Sequence, residues 1–125
     1  MNGMFQERRR EKRLSYHWPV WFAEDFTEDL SQGQMVDISS GGAAFTCLAQ
    51  ESPYQGQYIT TRFSVPRYGE DNSFDMESHI RNGFVRRVDQ INGYMRKIAV
   101  QFSEPLMFKP GEQNTTEQEL EEATA

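Results

Sequence analysis

Two groups of polar residues in the first third of the chain have side chains suited to binding a small anionic ligand. The first is the basic run from Arg8 to Arg13, which contains five of the 13 lysines and arginines. The second is the segment Asp37-Ile38-Ser39-Ser40-Gly41-Gly42. Arginine can donate two parallel hydrogen bonds to a phosphate or to the O6/N7 edge of guanine, and its flat face stacks on purines. The basic run therefore predicts contacts to phosphate and purine groups.

The second segment offers hydrogen-bond acceptors and accessible main chain. The carboxylate of Asp37 can accept hydrogen bonds from N1–H and N2–H of guanine, and Ser39 can donate, accept or cap a turn. Gly41 and Gly42 would let a ligand approach the backbone, and we expect glycine to supply a positive φ in a tight turn. Together with the arginines, this segment favours a nucleotide ligand.

Each group also has an ordinary structural interpretation. The basic run taken alone is typical of a solvated terminal arm, and Asp37 to Gly42 taken alone is typical of a hairpin turn. The net charge of −6 and the pI near 4.9 argue against a nucleic-acid duplex or a membrane surface as the target. Because the positive charge is local, we expect its target to be small.

The remaining polar residues predict no catalytic or metal chemistry. His17 and His79 have no carboxylate or cysteine partner at metal-ligand spacing, and no Gly-x-Ser-x-Gly elbow occurs. The acidic stretch from Glu24 to Asp29 lacks the spacing of a Ca²⁺ loop. The single cysteine, Cys47, excludes an internal disulfide and is expected to be a small buried side chain. We expect no enzyme activity and no cofactor, in a soluble cytoplasmic protein without membrane insertion.

The elements that must position the two groups are strands. Apolar side chains alternate from Ser15 to Phe22, at Tyr16, Trp18, Val20 and Phe22, as in a strand with one face on a core. Pro19 lacks a backbone N–H, which predicts an edge strand or a bulge. A strand over residues 35–38 and another over 43–48 flank the Ser/Gly turn, so they are expected to be adjacent and antiparallel.

Three further alternating segments follow. They are Gln57 to Val65 with Ile59, Thr61, Phe63 and Val65 on one side, roughly Phe74 to Val88, and Tyr94 to Phe102 with Tyr94, Ile98, Val100 and Phe102 on one side. Six strands with short turns predict an all-β antiparallel barrel or sandwich. The 125 residues divide into an arginine-rich arm (1–14), one β domain (15–108) and an acidic tail (109–125) that we expect to be disordered.

The order of the motifs resembles the PilZ domain family. Arg9 and Arg13 match its RxxxR motif, with Arg8 as the extra arginine in front, and Asp37, Ser39 and Gly42 match its Asp-x-Ser-x-x-Gly motif. Gly83 to Val88 and Ile98 to Phe102 are similar to the family's later strands. The resemblance spans residues 8–103.

The resemblance implies a fold and a ligand. The fold is a six-stranded antiparallel β-barrel with a flexible N-terminal arm; a short C-terminal helix stays open, although Pro110-Gly111 departs from the family there. The ligand is cyclic di-GMP. The resemblance assigns it to Arg8, Arg9 and Arg13 of the arm and to Asp37, Ser39 and Gly42 of the barrel, with Arg10, Gly41 and Arg87 at the periphery.

The expected mechanism is that the arm is disordered until cyclic di-GMP draws it against the barrel, and that its new position regulates an unidentified downstream protein. The receptor would be a monomer or weak dimer and would not bind nucleic acid. Two alternatives stay open: a small nucleic-acid-binding β-barrel that uses the basic arm, and a PilZ-like adaptor that has lost its ligand.

Overall fold

The computed structural model describes residues 11–27, 29–69, 71 and 73–113. Its strands, in chain order, are β1 (Leu14–Ser15), β2 (Pro19–Ala23), β3 (Ser31–Ile38), β4 (Gly42–Leu48), β5 (Tyr58–Tyr68), β6 (Phe74–Gln90) and β7 (Met95–Phe102). Two short 3-10 turns, Ala49–Glu51 and Pro110–Glu112, complete the described elements. No helix among the described residues is long and apolar enough to cross a membrane.

Six of the strands close into an antiparallel barrel. The strand order is β3-β2-β5-β6-β7-β4, and β4 pairs back with β3 to complete the ring. The two residues of β1 pair with the end of β3, where Leu14 lies opposite Ile38 and Ser15 opposite Asp37. The expected six-stranded barrel is confirmed, and closure leaves no free sheet edge around the ring.

The core of the barrel consists of one inward-facing row from each strand. Its largest buried members are Val20, Phe22, Met35, Ile38, Phe45, Ile59, Phe63, Val65, Val85, Ile98, Val100 and Phe102. The predicted alternation holds from Ile59 to Val65 in β5, where buried Thr61 donates its hydroxyl hydrogen bond to the Arg81 carbonyl at 2.9 Å. It fails for Tyr94, which is 79% exposed because it lies in the turn before β7.

The first predicted strand is interrupted. Residues 16–18 separate β1 from β2, and Trp18, expected on the core face, is 45% exposed. Pro19 explains the break, since proline restricts the residue before it and cannot donate to the sheet. The expectation that Pro19 marks an edge strand is wrong. The strand β2 pairs with both β3 and β5, and Pro19 is its first residue.

The described end of the C-terminal segment packs against the barrel. Leu106 is buried and donates its backbone hydrogen bond to the Ser40 carbonyl at 2.7 Å. Pro110 is buried, and Gln113 donates a side-chain hydrogen bond to the Pro66 carbonyl at 2.8 Å. Any helix starting near Thr116 lies outside the described residues. Glu112 also accepts a hydrogen bond from the N–H of Lys12, so this segment contacts the described end of the arm.

Candidate functional site

A cavity of about 960 Å³ lies on the outer wall of the barrel beside the Ser/Gly turn. It is lined by Glu11 and Arg13 of the arm, by Asp37, Ser39, Ser40 and Gly41 around the turn, and by Ala44, Arg87, Asp89, Lys97 and Ala99 on the strands. Its volume is in the range that binds nucleotide-sized ligands. The structure thus brings the end of the arm, the turn and Arg87 to one place.

Asp37 faces this cavity because β3 contains a bulge. The register shifts between Met35 and Asp37, so Met35 and Ile38 are both buried although they are three residues apart. The inserted residue moves Asp37 to the outward face, where it lies opposite Ala44 of β4. Without the bulge, strict alternation would put Asp37 on the core side.

A second bulge orients Arg87 in the same way. The register of β6 against β7 shifts between Val85 and Arg87, and Arg87 then lies opposite Ala99. Val85 is buried, and Val88, three residues later, packs against the core. The guanidinium of Arg87 is therefore outside, where its Nε lies 2.9 Å from Oδ2 of Asp89.

The two bulges align one row of residues across four strands. Asp37 pairs with Ala44, Ala44 with Ala99, and Ala99 with Arg87. Three strand spacings of roughly 4.8 Å separate the ends of the row, about 14 Å in total. The middle of the row carries only methyl groups, so the cavity floor between the two charged residues consists of small apolar side chains.

Arg13 is the one arginine of the basic arm that the described residues include. Its Nη1 donates to Oδ1 of Asp37 at 2.9 Å, so the two motifs are in direct contact. Arg8, Arg9 and Arg10 lie outside the described residues. Within the described residues, one member of each motif, Arg13 and Asp37, thus lies beside the other without a ligand.

The Ser/Gly turn is closed by Ser39 and Gly42. The Ser39 N–H donates to the Gly42 carbonyl at 2.8 Å, and the Ser39 hydroxyl points to the same oxygen at 3.4 Å. Neither Gly41 nor Gly42 has the positive φ that we expected; among the described glycines only Gly56 has one, at 89°. The turn is made by hydrogen bonds, and left-handed backbone is not required here.

The two glycines have different surroundings. Gly42 is buried, and a β-carbon on it would collide with the Val100 carbonyl of β7, so glycine permits close pairing of β4 with β7. Gly41 is exposed and has open space where a β-carbon would lie. Of the two glycines, Gly41 lines the cavity and Gly42 does not.

Several lining residues carried no recognisable signal in the sequence. Glu11 accepts hydrogen bonds from the N–H and the hydroxyl of Ser40 at 2.6 and 2.7 Å. The pairing register of the strands brings four more residues to the cavity: Ala44, Asp89, Lys97 and Ala99. A short sequence motif does not encode this register. Among the described charged residues of the cavity, three are basic (Arg13, Arg87, Lys97) and three acidic (Glu11, Asp37, Asp89).

The described residues contain no group of three histidine, cysteine, aspartate or glutamate side chains placed to hold a metal ion. His79 contacts Glu77 and the rings of Phe63 and Phe108, away from the cavity. Cys47 is buried, and burial raises its thiol pKa to about 11. Both residues therefore contribute to packing in the structure.

The described residues form a small closed β-barrel with a cavity on its outer wall. The family model of the PilZ domain matches residues 7–107, and the chain belongs to this family. No curated protein matches the chain.

Two solved structures share the fold. MotI/DgrA, an inhibitor of motility from Bacillus subtilis, is 20% identical with a TM-score of 0.63; the match covers 94% of this chain and 51% of that one. The PilZ domain of YcgR from Escherichia coli, solved with c-di-GMP, is 13% identical with a TM-score of 0.55 and coverages of 93% and 88%. The chain thus spans about half of the Bacillus subtilis protein.

Proposed function

We propose that this protein is a receptor for cyclic di-GMP and not an enzyme. One observation carries the proposal: the outer cavity joins Arg13 and Asp37, which match the two family motifs, to Arg87 across a floor of Ala44 and Ala99. This arrangement has groups for both chemical parts of a cyclic dinucleotide. Membership of the PilZ domain family supports the same ligand.

The phosphates of the ligand are assigned to the arm. Arg13 reaches the cavity, and Arg8 and Arg9 precede it by five and four residues in the sequence. Guanidinium groups bind phosphate through paired, charge-assisted hydrogen bonds. Because Arg13 already contacts Asp37, a bound phosphate would share or replace that ion pair.

The guanines are assigned to the row across the strands. Ala44 and Ala99 are neighbours on paired strands, and their methyl groups leave room for a purine to lie over them. Asp37 can accept from N1–H and N2–H of guanine, and Arg87 can stack on a base or donate to its O6/N7 edge. Ser39 lines the cavity and can contact the ligand, and its hydrogen bond with Gly42 also closes the turn that follows Asp37.

The receptor would signal through its arm. At the described end of the arm, Glu11 contacts Ser40 of the turn, and Arg13 contacts Asp37. A ligand can change the position of the arm only if it binds one arrangement more tightly than another, and Arg8 to Arg13 supply such differential contacts. An unidentified downstream protein would recognise the change.

Isothermal titration calorimetry tests the ligand. Cyclic di-GMP is titrated against wild type, Arg9→Ala and Asp37→Ala, with GTP and cyclic di-AMP as competing candidates. We expect saturable binding of cyclic di-GMP alone, weakened about tenfold or more by either substitution, because each removes a charged hydrogen-bonding partner.

Arg62→Ala is the matched control, since Arg62 lies near Trp21 on the outer face of β5 and does not line the cavity. Its affinity should equal that of wild type. Equal weak heats for the three nucleotides would contradict the proposal and favour an adaptor without ligand. Steeply salt-dependent binding to long single strands would favour a nucleic-acid-binding barrel instead.

A further inference from the structure

Ser40 stands at an unspecified position of the Asp-x-Ser-x-x-Gly motif, and its two hydrogen-bond donors form a site for an anion. Its backbone N–H donates to Oε2 of Glu11 at 2.6 Å and its hydroxyl donates to Oε1 at 2.7 Å, so both donors converge on one carboxylate. The contact joins residues 29 positions apart and is partly buried. We propose that Glu11 is an internal competitor at this site, and that a phosphate of the ligand replaces it there.

The donors of Ser40 are held in place from behind. The Ser40 carbonyl accepts from the N–H of buried Leu106 at 2.7 Å, which fixes the peptide on the far side of the residue. Gly41 follows with open space above it, and the cavity extends past both residues. A phosphate presents oxygens at a spacing similar to that of a carboxylate, so the same two donors fit either group.

Glu11 lies in the arm where its release from Ser40 would affect ligand binding. It lies between Arg9 and Arg13, and its carboxylate lines the cavity that the proposed ligand enters. A carboxylate there repels a phosphate and also holds the donors that the phosphate needs. Ligand binding must therefore include the free energy of breaking the Glu11–Ser40 contact.

The neighbouring contacts determine what moves when Glu11 is released. The N–H of Lys12 donates to Oε2 of Glu112 at 2.9 Å, and Gly111 packs closely against the backbone of Lys12 and Arg13. These contacts do not depend on Ser40. Release of Glu11 would thus free its side chain while the backbone of Lys12 and Arg13 keeps its contacts with Gly111 and Glu112.

This inference rests on the proposed function, because the competing anion is a phosphate of cyclic di-GMP. It adds a thermodynamic requirement: the receptor exists in two arrangements, with Glu11 on Ser40 or with ligand on Ser40. Stabilising the first arrangement reduces the apparent affinity for the ligand. Glu11 would accordingly lower the sensitivity of the receptor and link occupancy to the arm.

Affinity measurements on charge variants test the competition. Cyclic di-GMP is titrated calorimetrically into wild type, Glu11→Gln, Glu11→Ala and Glu51→Gln. We expect Glu11→Gln and Glu11→Ala to bind about three- to tenfold more tightly than wild type, since both remove the competing charge. Glu51→Gln makes the same change of charge beyond the other end of β4 and should leave the affinity unchanged.

A second measurement follows the site without any ligand. The exchange rate of the Ser40 amide hydrogen should rise in Glu11→Ala, because its acceptor is gone, while core amides of β7 keep their protection. Unchanged exchange at Ser40 would overturn the contact on which the proposal depends.

The affinity measurements also distinguish failure of the competition from failure of the receptor function. Equal or weaker binding by Glu11→Ala, with wild type binding normally, would overturn the competition while leaving the receptor function intact; weaker binding would also show that Glu11 supports the site. No heat with cyclic di-GMP for any of the four proteins would contradict the proposed function itself, and the competition with it.

Discussion

Gly42 ends the Asp-x-Ser-x-x-Gly segment and lies where two strands come closest together. A β-carbon at this position would meet the Val100 carbonyl, a backbone atom of the neighbouring strand that cannot rotate away. Gly41 has no such neighbour, although it is the glycine that lines the cavity. Adjacent glycines in one motif thus have separate tasks: one permits strand pairing and the other leaves room at the site.

The two glycines can be separated by experiment. Gly42→Ala is expected to lower the free energy of unfolding by about 1–3 kcal/mol, because the sheet must move to admit the methyl group. Gly41→Ala is the matched control and should leave stability nearly unchanged. Urea denaturation of both variants measures the difference; a Gly42→Ala variant as stable as Gly41→Ala would contradict this account.

At the scale of elements, the site depends on the two bulges that flank β4 and β7. Each bulge keeps buried apolar side chains on the core side, Met35 and Ile38 in β3 and Val85 in β6. Each also turns one charged residue outward, Asp37 or Arg87, to the end of the row through Ala44 and Ala99. The distance between the charged groups is thus set by the number of strands between them.

The alanine floor provides a test of this geometry. Ala99→Leu places a branched side chain in the middle of the row and should weaken cyclic di-GMP binding about tenfold or more, because a purine can no longer lie flat there. Gln101→Leu makes a similar apolar change two residues along the same outer face of β7, beyond the cavity lining.

Calorimetry and circular dichroism compare the two variants. Both should fold as wild type does, and Gln101→Leu should keep its affinity. Equal affinities for Ala99→Leu and wild type would show that no ligand lies over the row.

At the scale of the whole molecule, the C-terminal segment links the barrel to the arm. Phe108 contacts His79 and lies under the guanidinium of Arg67, whose carbon is 3.8 Å from the ring centroid. Beyond it, Pro110–Glu112 reaches Lys12 of the arm. The arm therefore meets a surface built from both the turn and the C-terminal segment.

His79 packs against Phe108, and its surroundings predict that the stability of the protein depends on pH. Its side chain is only 14% exposed, and burial lowers its pKa; nearby Arg81 and Arg67 act in the same direction, whereas Glu77 opposes them. A histidine with a lowered pKa binds fewer protons in the folded state than in the unfolded state. Stability should therefore fall as the pH decreases from about 6.5, the ordinary histidine value, toward the lower folded value.

Urea midpoints measured between pH 7.5 and pH 5.5 check this dependence. The midpoint of wild type should decrease over the interval, and His79→Gln should lose less, because glutamine does not titrate. A parallel decrease in both proteins would assign the effect to other groups.

Much of the fold follows from local pattern in the sequence. The alternation in β5, β6 and β7 and the turn between β3 and β4 are visible because one face of each strand is buried in a closed barrel. The predictions for Trp18 and Tyr94 are wrong because the alternation of apolar residues in the sequence continues beyond the ends of the strands. Both residues lie outside a strand and are exposed. Pro19 was misread because a proline at the first position of an inner strand has the same local signature as one on an edge.

The site divides along the same line. Arg13, Asp37 and the Ser/Gly turn can be recognised as candidate ligand groups from the sequence, because their chemistry is a property of residue type and short spacing. Tertiary structure alone decided that Asp37 and Arg87 face outward, that Ala44 and Ala99 form the floor between them, and that Glu11 lies on Ser40. Those relations depend on bulges and strand register, which arise only when distant segments pair and the core selects which side chains are buried.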